Sequence, residues 1–195
     1  FLITQGDDAL VGKILGTAAL GFYQLAYRIS NLPATEITHV ISQVTFPAYA
    51  QLQERTQIVK TAYLRVLRIT TLISLPLGVV IAFAANDLVG VFLGEKWLPM
   101  VPVLQVLSVF GILRSVNATL GPLYHALGHP EVLTRVSAIQ LLLLAGIIYP
   151  LTIRWGVLGT SIAVTLSNGL CFLVASWEGI RLIQGEILEF LEGIR

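Results

Sequence analysis

The chain has one cysteine, one methionine, three histidines and very few charges for its length, with Asp, Glu, Lys and Arg making up 12% of its 195 residues. Each scarcity excludes something. A lone Cys171 cannot form an internal disulfide and has no second cysteine to share a zinc ion, which removes the small stapled folds. The charge content is about half that of an ordinary soluble domain. The 12 Lys and Arg nearly balance the 11 Asp and Glu, a formal net charge of +1, so the basic excess that a nucleic-acid partner requires is lacking. His39, His125 and His129 form no HExxH run and no His and carboxylate pair at ligand spacing. No triad motif or phosphate-cradling glycine loop is found either. The sequence therefore reads as a protein that is not an enzyme, with no metal site and no cofactor.

What is present is apolar. Hydrophobic residues make up 55% of the chain and its mean hydropathy is +0.82, the opposite of a chain that stays unfolded. A helix needs about 20 mostly apolar residues to cross the hydrocarbon core of a bilayer. Charge-free runs of that order cover 37–53, 69–86, 97–113, 136–153 and 155–177. With their flanks they predict five complete spans, 17–51, 62–86, 98–125, 131–153 and 157–178, and residues 1–16 read as the end of a sixth. The segment 69–85 has no polar face, as a helix of a soluble core would need. The expected fold class is all-α: a polytopic membrane bundle of about six transmembrane helices, the first truncated.

The connections predicted at 16–17, 51–57, 94–96, 128–130 and 154–156 are short, which makes sequence neighbours antiparallel. One side of the membrane then receives Arg55, Lys60, Arg65, Arg68, Arg135, Arg181 and Arg195; the other receives Lys13, Lys96 and Arg154. Cytoplasmic loops are enriched in Lys and Arg, so the first side and the C-terminus are expected inside. Trp97, Tyr149 and Trp155 fall at the outer boundary, at headgroup depth. The tail 185–195 alternates acids with Ile, Leu and Phe at helical spacing, which suits a membrane surface or the start of a further segment. Leu15-Gly16-Thr17-Ala18 and Leu158-Gly159-Thr160-Ser161 form a weak internal echo, each opening a helix with Thr placed to cap free N–H groups.

Ionisable groups at membrane depth are costly and usually face a partner or a water-filled cavity. Here they are Asp7, Asp8, Arg28, Glu36 and Arg114. Arg28 lies about eleven residues into its span, roughly 16 Å below the outer end and so near mid-depth. Glu36 is about 12 Å further along the same face, too far for direct contact. Two readings of Arg28 stand. It is a cationic site that meets an anionic group such as a phosphate, or it pairs with Asp7 or Asp8. Arg114 has Ser115 and Asn117 beside it, which predicts a polar stripe. Asp7, Asp8 and Glu36 are candidates for ion coupling or pairing, and His39 reads as a hydrogen-bonded interior residue. Pro33, Pro47, Pro76, Pro102, Pro122 and Pro150 fall in or near spans as candidate kinks, and Gly12-x-x-x-Gly16 would permit close helix packing.

Several stretches, taken in order, resemble a known family. They are Gly6-Asp7-Asp8-Ala-Leu-Val-Gly-Lys-Ile-Leu-Gly16, Ala19-Leu-Gly-Phe-Tyr-Gln-Leu-Ala-Tyr-Arg28 with Asn31-Leu-Pro33, Val44-Thr-Phe-Pro-Ala-Tyr49, Tyr63-Leu-Arg-Val-Leu-Arg68, and Leu93-Gly-Glu-Lys-Trp97 followed by Pro102-Val-Leu-Gln105. The set is similar to the bacterial polysaccharide exporters, lipid-linked oligosaccharide flippases of the multidrug/oligosaccharidyl-lipid/polysaccharide superfamily. The resemblance implies two bundles of six helices around a central cavity, with residues 1–195 as the C-terminal bundle and the N-terminal bundle absent. Phe1 in place of an initiator methionine fits such a truncation. It implies export of an undecaprenyl-diphosphate-linked sugar unit across the bacterial cytoplasmic membrane, for lipopolysaccharide or other surface polysaccharide. It also implies that cavity arginines meet the diphosphate, which puts Arg28, on the eighth helix, first, with Arg114 beside it; Asp7 and Asp8 match the acidic position of the seventh helix more loosely. The expected partners are the lipid-linked oligosaccharide, the bilayer and the missing bundle. A cation-coupled drug exporter of the same superfamily is the alternative if Asp7 or Asp8 titrates in the cavity. A membrane-bound polysaccharide polymerase would need a large outer loop, and the outer turns here are short.

Overall fold

The computed structural model describes residues 2–51 and 56–182, the side chains of 2–4, 33, 36–42, 44, 56 and 180–182 excepted. The described chain is helical from end to end: α1 (Leu2–Leu15), α2 (Thr17–Gln51), α3 (Thr56–Phe83), α4 (Ala85–Phe92), a 3-10 turn (Glu95–Met100), α5 (Val101–Asn117), α6 (Leu120–Ala126) and α7 (Pro130–Leu182). Three stretches are long and apolar enough to cross a membrane: Gln57–Phe83, Glu95–Ala126 and Pro130–Gly179. The third is two crossings, because Gly156 leaves helical geometry at φ 58°, ψ −137° and divides α7 into two arms. The 35-residue α2 matches the expected span 17–51 but is less apolar, carrying Arg28, Glu36 and many hydroxyl and amide side chains.

Contacts fix the directions. Asp7 meets Tyr23 and Asp8 meets Gln24, so α1 and α2 form an antiparallel hairpin about Gly16, whose φ is 88°. Thr152 bonds Thr160, Ser167 bonds the Gln140 carbonyl and Cys171 approaches that of Val136, so the arms of α7 form a second hairpin about Gly156. Gln105 of α5 reaches the Ala82 carbonyl of α3, as an antiparallel pair requires. In these three pairs the expected alternation is present.

Some local expectations shift. The positive φ at Gly156 falls in the turn expected at 154–156, but the Thr160 hydroxyl bonds Thr152 and the Gly156 carbonyl instead of capping N–H groups. Gly159 has a different duty: a Cβ there would run into the Leu151 carbonyl, so the hairpin needs a glycine to close. Gly16 likewise serves a turn, while Gly12 alone packs closely, against Leu20. Pro76 and Pro150 lie inside helices, but Pro102 and Pro122 fall in first turns, where the missing N–H had no helical partner. The span expected at 98–125 lies within the single stretch Glu95–Ala126, with a step between α5 and α6 at Ala118–Thr119, where the Thr119 hydroxyl turns back onto the Val116 carbonyl. The connection after α3 is a built elbow of α4 and the 3-10 turn, closed by Trp97 packed edge-on to Phe22. The tail 185–195 lies outside the described residues.

Gly156 holds the positive-φ turn of the second hairpin. An L-residue at that φ and ψ is strained by about 1–3 kcal/mol. Gly156→Ala is expected to lower stability by that amount, read as an earlier thermal unfolding transition in detergent. An unchanged transition would show that the turn is not held at this glycine.

The interior has two apolar clusters. One gathers Tyr49, Tyr63, Leu67, Leu123 and Tyr124, with the Tyr124 hydroxyl donating to the Ala175 carbonyl at 2.5 Å. The other gathers Tyr23, Met100, Leu104, Leu107, Phe110 and Val164. Between them the packing opens into a cavity.

Candidate functional site

The cavity has a volume of about 330 Å³ and is walled by α2, α5, α6 and both arms of α7. Its polar groups come from stripes at helical spacing. Arg114 and Asn117 face it from α5, Ser137 and Gln140 from the first arm of α7, Asn168 from the second, and Tyr27 from α2. Apolar members of both clusters, Val136 and Ala175 from one and Phe110, Leu144 and Val164 from the other, complete the walls.

Arg114 is the charged group of this cavity, and it is held rather than free. Its Nη1 donates to the Tyr27 hydroxyl at 2.5 Å, and the guanidinium carbon lies 5.9 Å from the ring centroids of both Tyr27 and Phe110. Tyr27 in turn packs against Phe110 at 5.4 Å and Tyr23 at 6.0 Å. Tyr27 and the two rings fix one edge of the planar guanidinium, leaving its other N–H groups to act as donors. No carboxylate pairs with Arg114 among the described residues. A half-buried cation with spare donors in a polar cavity is suited to an anion's oxygens.

A second groove, of about 300 Å³, lies on the other side of Tyr27 and is lined by Gln5, Asp7, Asp8, Gln24, Tyr27 and Arg28. Asp7 is 4% exposed; Tyr23 donates to its Oδ2 at 2.6 Å, and its Oδ1 has no hydrogen-bond partner among the described residues. Gln24 donates to Asp8 at 2.9 Å. Arg28 shares the groove and is exposed, and among the described residues it makes no ion pair with either aspartate. The pairing reading of Arg28 is thus not the arrangement found. Two arginines stand on either side of Tyr27, Arg114 in the cavity and Arg28 in the groove.

Of the other candidates, the side chains of Glu36 and His39 lie outside the described residues. Asn117 does join Arg114 in a polar stripe, but Ser115 is buried and donates to the Gly111 carbonyl of its own helix. Tyr27, Ser137, Gln140 and Asn168 were not singled out from the sequence. The signal available was uncharged: Ser137 and Gln140 stand one turn apart in an otherwise apolar span, and Asn168 is an amide in another. Among the described residues, no group of three or more His, Cys, Asp or Glu could hold a metal ion.

Comparison with known proteins agrees with this architecture. A family described as polysaccharide biosynthesis protein matches residues 1–102, just over half of the chain. The lipopolysaccharide biosynthesis protein WzxC of Escherichia coli K12 is 30% identical over 85% of this chain and 33% of its own length. The teichuronic acid biosynthesis protein TuaB of Bacillus subtilis 168 is 32% identical over 64% of this chain and 26% of its own. A probable low-salt glycan biosynthesis flippase, Agl15 of Haloferax volcanii, is 25% identical over 83% and 34%. The chain spans about a third of the length of these relatives. No solved structure matches it significantly. A multi-pass helical membrane protein with these relatives and this family match belongs to the polysaccharide biosynthesis protein family.

Proposed function

We propose that this chain is the C-terminal bundle of a two-bundle flippase, which carries an undecaprenyl-diphosphate-linked oligosaccharide across a bacterial cytoplasmic membrane for surface polysaccharide assembly. The observation that carries the reading is Arg114, anchored by Tyr27 in a polar cavity inside an apolar bundle, with Arg28, which makes no ion pair among the described residues, in the neighbouring groove. A diphosphate crossing about 30 Å of hydrocarbon needs its charge compensated and its hydration replaced. Arginines at membrane depth do the first, and amide and hydroxyl side chains the second. The prenyl tail stays in lipid, against exposed apolar faces such as Leu72, Leu75, Val79 and Val80 of α3. Both leaflets must reach the site in turn, so this bundle rocks against an N-terminal one. The basic ends of α3 and α7 face the cytoplasm, together with the C-terminus, and the cavity then lies in the inner half of the membrane.

The unpartnered Oδ1 of buried Asp7 favours a second reading, a cation-coupled exporter of the same superfamily. One experiment separates the two. The two-bundle protein is expressed in a bacterium lacking its own polysaccharide flippase and scored for surface polysaccharide and for drug resistance. The flippase reading expects polysaccharide export to return, and Arg28→Ala to lower it about tenfold at equal protein abundance, the loss of one charge-assisted contact. Drug resistance without polysaccharide would establish the exporter instead.

A further inference from the structure

The α3 helix stands at the edge of the bundle. It packs against α2, α4 and α5, and none of its residues lines the cavity or the groove. Tyr63, Leu67, Thr70 and Ser74 are buried and mark the side that faces the bundle. At 3.6 residues per turn the opposite side carries Arg65, Arg68, Leu72, Val79 and Phe83, all of them exposed. Leu72 is 70% and Phe83 86% exposed, so the bundle leaves this stripe uncovered.

The stripe changes character at one point. From Leu72 onward it is apolar and lies within Gln57–Phe83, a stretch able to cross a membrane, so it faces acyl chains. Arg65 and Arg68 stand directly before it. They are three residues apart, about 4.5 Å along the axis and about 60° around it, so they share one patch of surface. Among the described residues neither makes an ion pair. Val79 is about 16 Å along the helix from Arg68, the depth of one leaflet of a hydrocarbon core about 30 Å thick.

Two unpaired guanidinium forks at the end of an apolar stripe one leaflet deep match a phosphate carried on acyl chains. Net charge narrows the lipid. A zwitterionic headgroup brings its own cation beside the phosphate, whereas an anionic one leaves its charge to the arginines. A protein surface here would have to bury two guanidinium groups and supply carboxylates for both. A prenyl tail passing along the same apolar stripe would carry its diphosphate into the cavity, from which these arginines face away.

We propose that the outward face of α3 is a docking site for an anionic glycerophospholipid. Arg65 and Arg68 hold the headgroup phosphate, and the acyl chains lie along Leu72, Leu75 and Val79. The site anchors the edge of the bundle to one leaflet. It requires only that α3 crosses the membrane, whatever the cargo.

The test is direct binding to the purified two-bundle protein, titrated by native mass spectrometry with phosphatidylglycerol and phosphatidylcholine of matched acyl chains. Wild type is expected to prefer phosphatidylglycerol about twentyfold, about fivefold for each arginine. Arg65→Gln and Arg68→Gln should each reduce that preference about fivefold, and the double variant should lose it. Replacing both by lysine should keep part of it, since the charge stays and the fork is lost. Arg154→Gln removes an exposed cation at the Gly156 turn and should leave the preference as in wild type. Both α3 arginines are exposed, so their variants should unfold at the wild-type temperature when no lipid is added. Equal wild-type affinity for the two phospholipids, a preference that survives the double variant, or an equal loss in Arg154→Gln overturns the site. Displacement of phosphatidylglycerol by a tenfold lower concentration of undecaprenyl phosphate would give the face to the prenyl lipid instead. A dimer that the double variant splits into monomers would give it to a second copy. Polysaccharide export by the double variant reads the flippase proposal separately, because α3 lines neither the cavity nor the groove.

Discussion

Arg114→Ala is expected to cut surface polysaccharide export at least tenfold while the amount of protein in the membrane stays the same. Removing one partner of a desolvated charge contact costs about 2–5 kcal/mol, and tenfold is only about 1.4 kcal/mol, so the floor is conservative. Little loss of fold is expected, because the Tyr27 hydroxyl that Arg114 bonds lines the cavity and can take water in its place. Arg114→Lys should recover only part of the activity. A lysine keeps the charge but loses the planar fork that sits over the Tyr27 and Phe110 rings. Export assays with membrane abundance measured in parallel would settle it. Full export from Arg114→Ala would remove the cavity from the transport path and leave Arg28 as the cationic candidate.

The helical architecture was legible because charge is so scarce here that its gaps mark the membrane. The span expected at 17–51 is α2 from end to end, and the turn expected at 154–156 is the hairpin at Gly156. What escaped was geometry that depends on partners far apart in the chain. Tyr27 and Arg114 are 87 residues apart, and nothing in the spacing along α2 says that Tyr27 will turn toward α5. Asn168 and Gln140 escaped for another reason: a search for costly groups at membrane depth picks out charges, while amides are cheaper to bury and pass unnoticed. The glycines divide in the same way. Gly16 could be read as a turn from its place between apolar runs, but Gly159 and Gly111 are required by a backbone that approaches from elsewhere, which the local sequence does not show.

That close approach leads to the largest expected effect on the fold. In α5, a Cβ on Gly111 would run into the carbonyl of Ser30 on α2, where the obstacle is main chain and cannot rotate aside. Helices in a membrane gain most from such backbone contact through small residues, because lipid gives them no apolar incentive to associate. Gly111→Ala must therefore push α2 and α5 apart, along the seam that also holds Tyr27 against Phe110 and Arg114. The expected loss is about 3 kcal/mol, the upper range for an overpacked core, and it should show as a lower unfolding temperature and less folded protein in the membrane. Two other glycines calibrate it. On α3, a Cβ at Gly78 would meet Cγ1 and Cδ1 of Ile112, a side chain that must leave its rotamer but moves no main chain, so Gly78→Ala should cost less, about 1–2 kcal/mol. Gly146, in the first arm of α7, faces open space, and Gly146→Ala should be neutral or stabilise by up to about 1 kcal/mol through helix propensity. If Gly111→Ala is no worse than Gly146→Ala, α2 and α5 do not meet at this contact, and the geometry that ties Tyr27 to Arg114 falls with it.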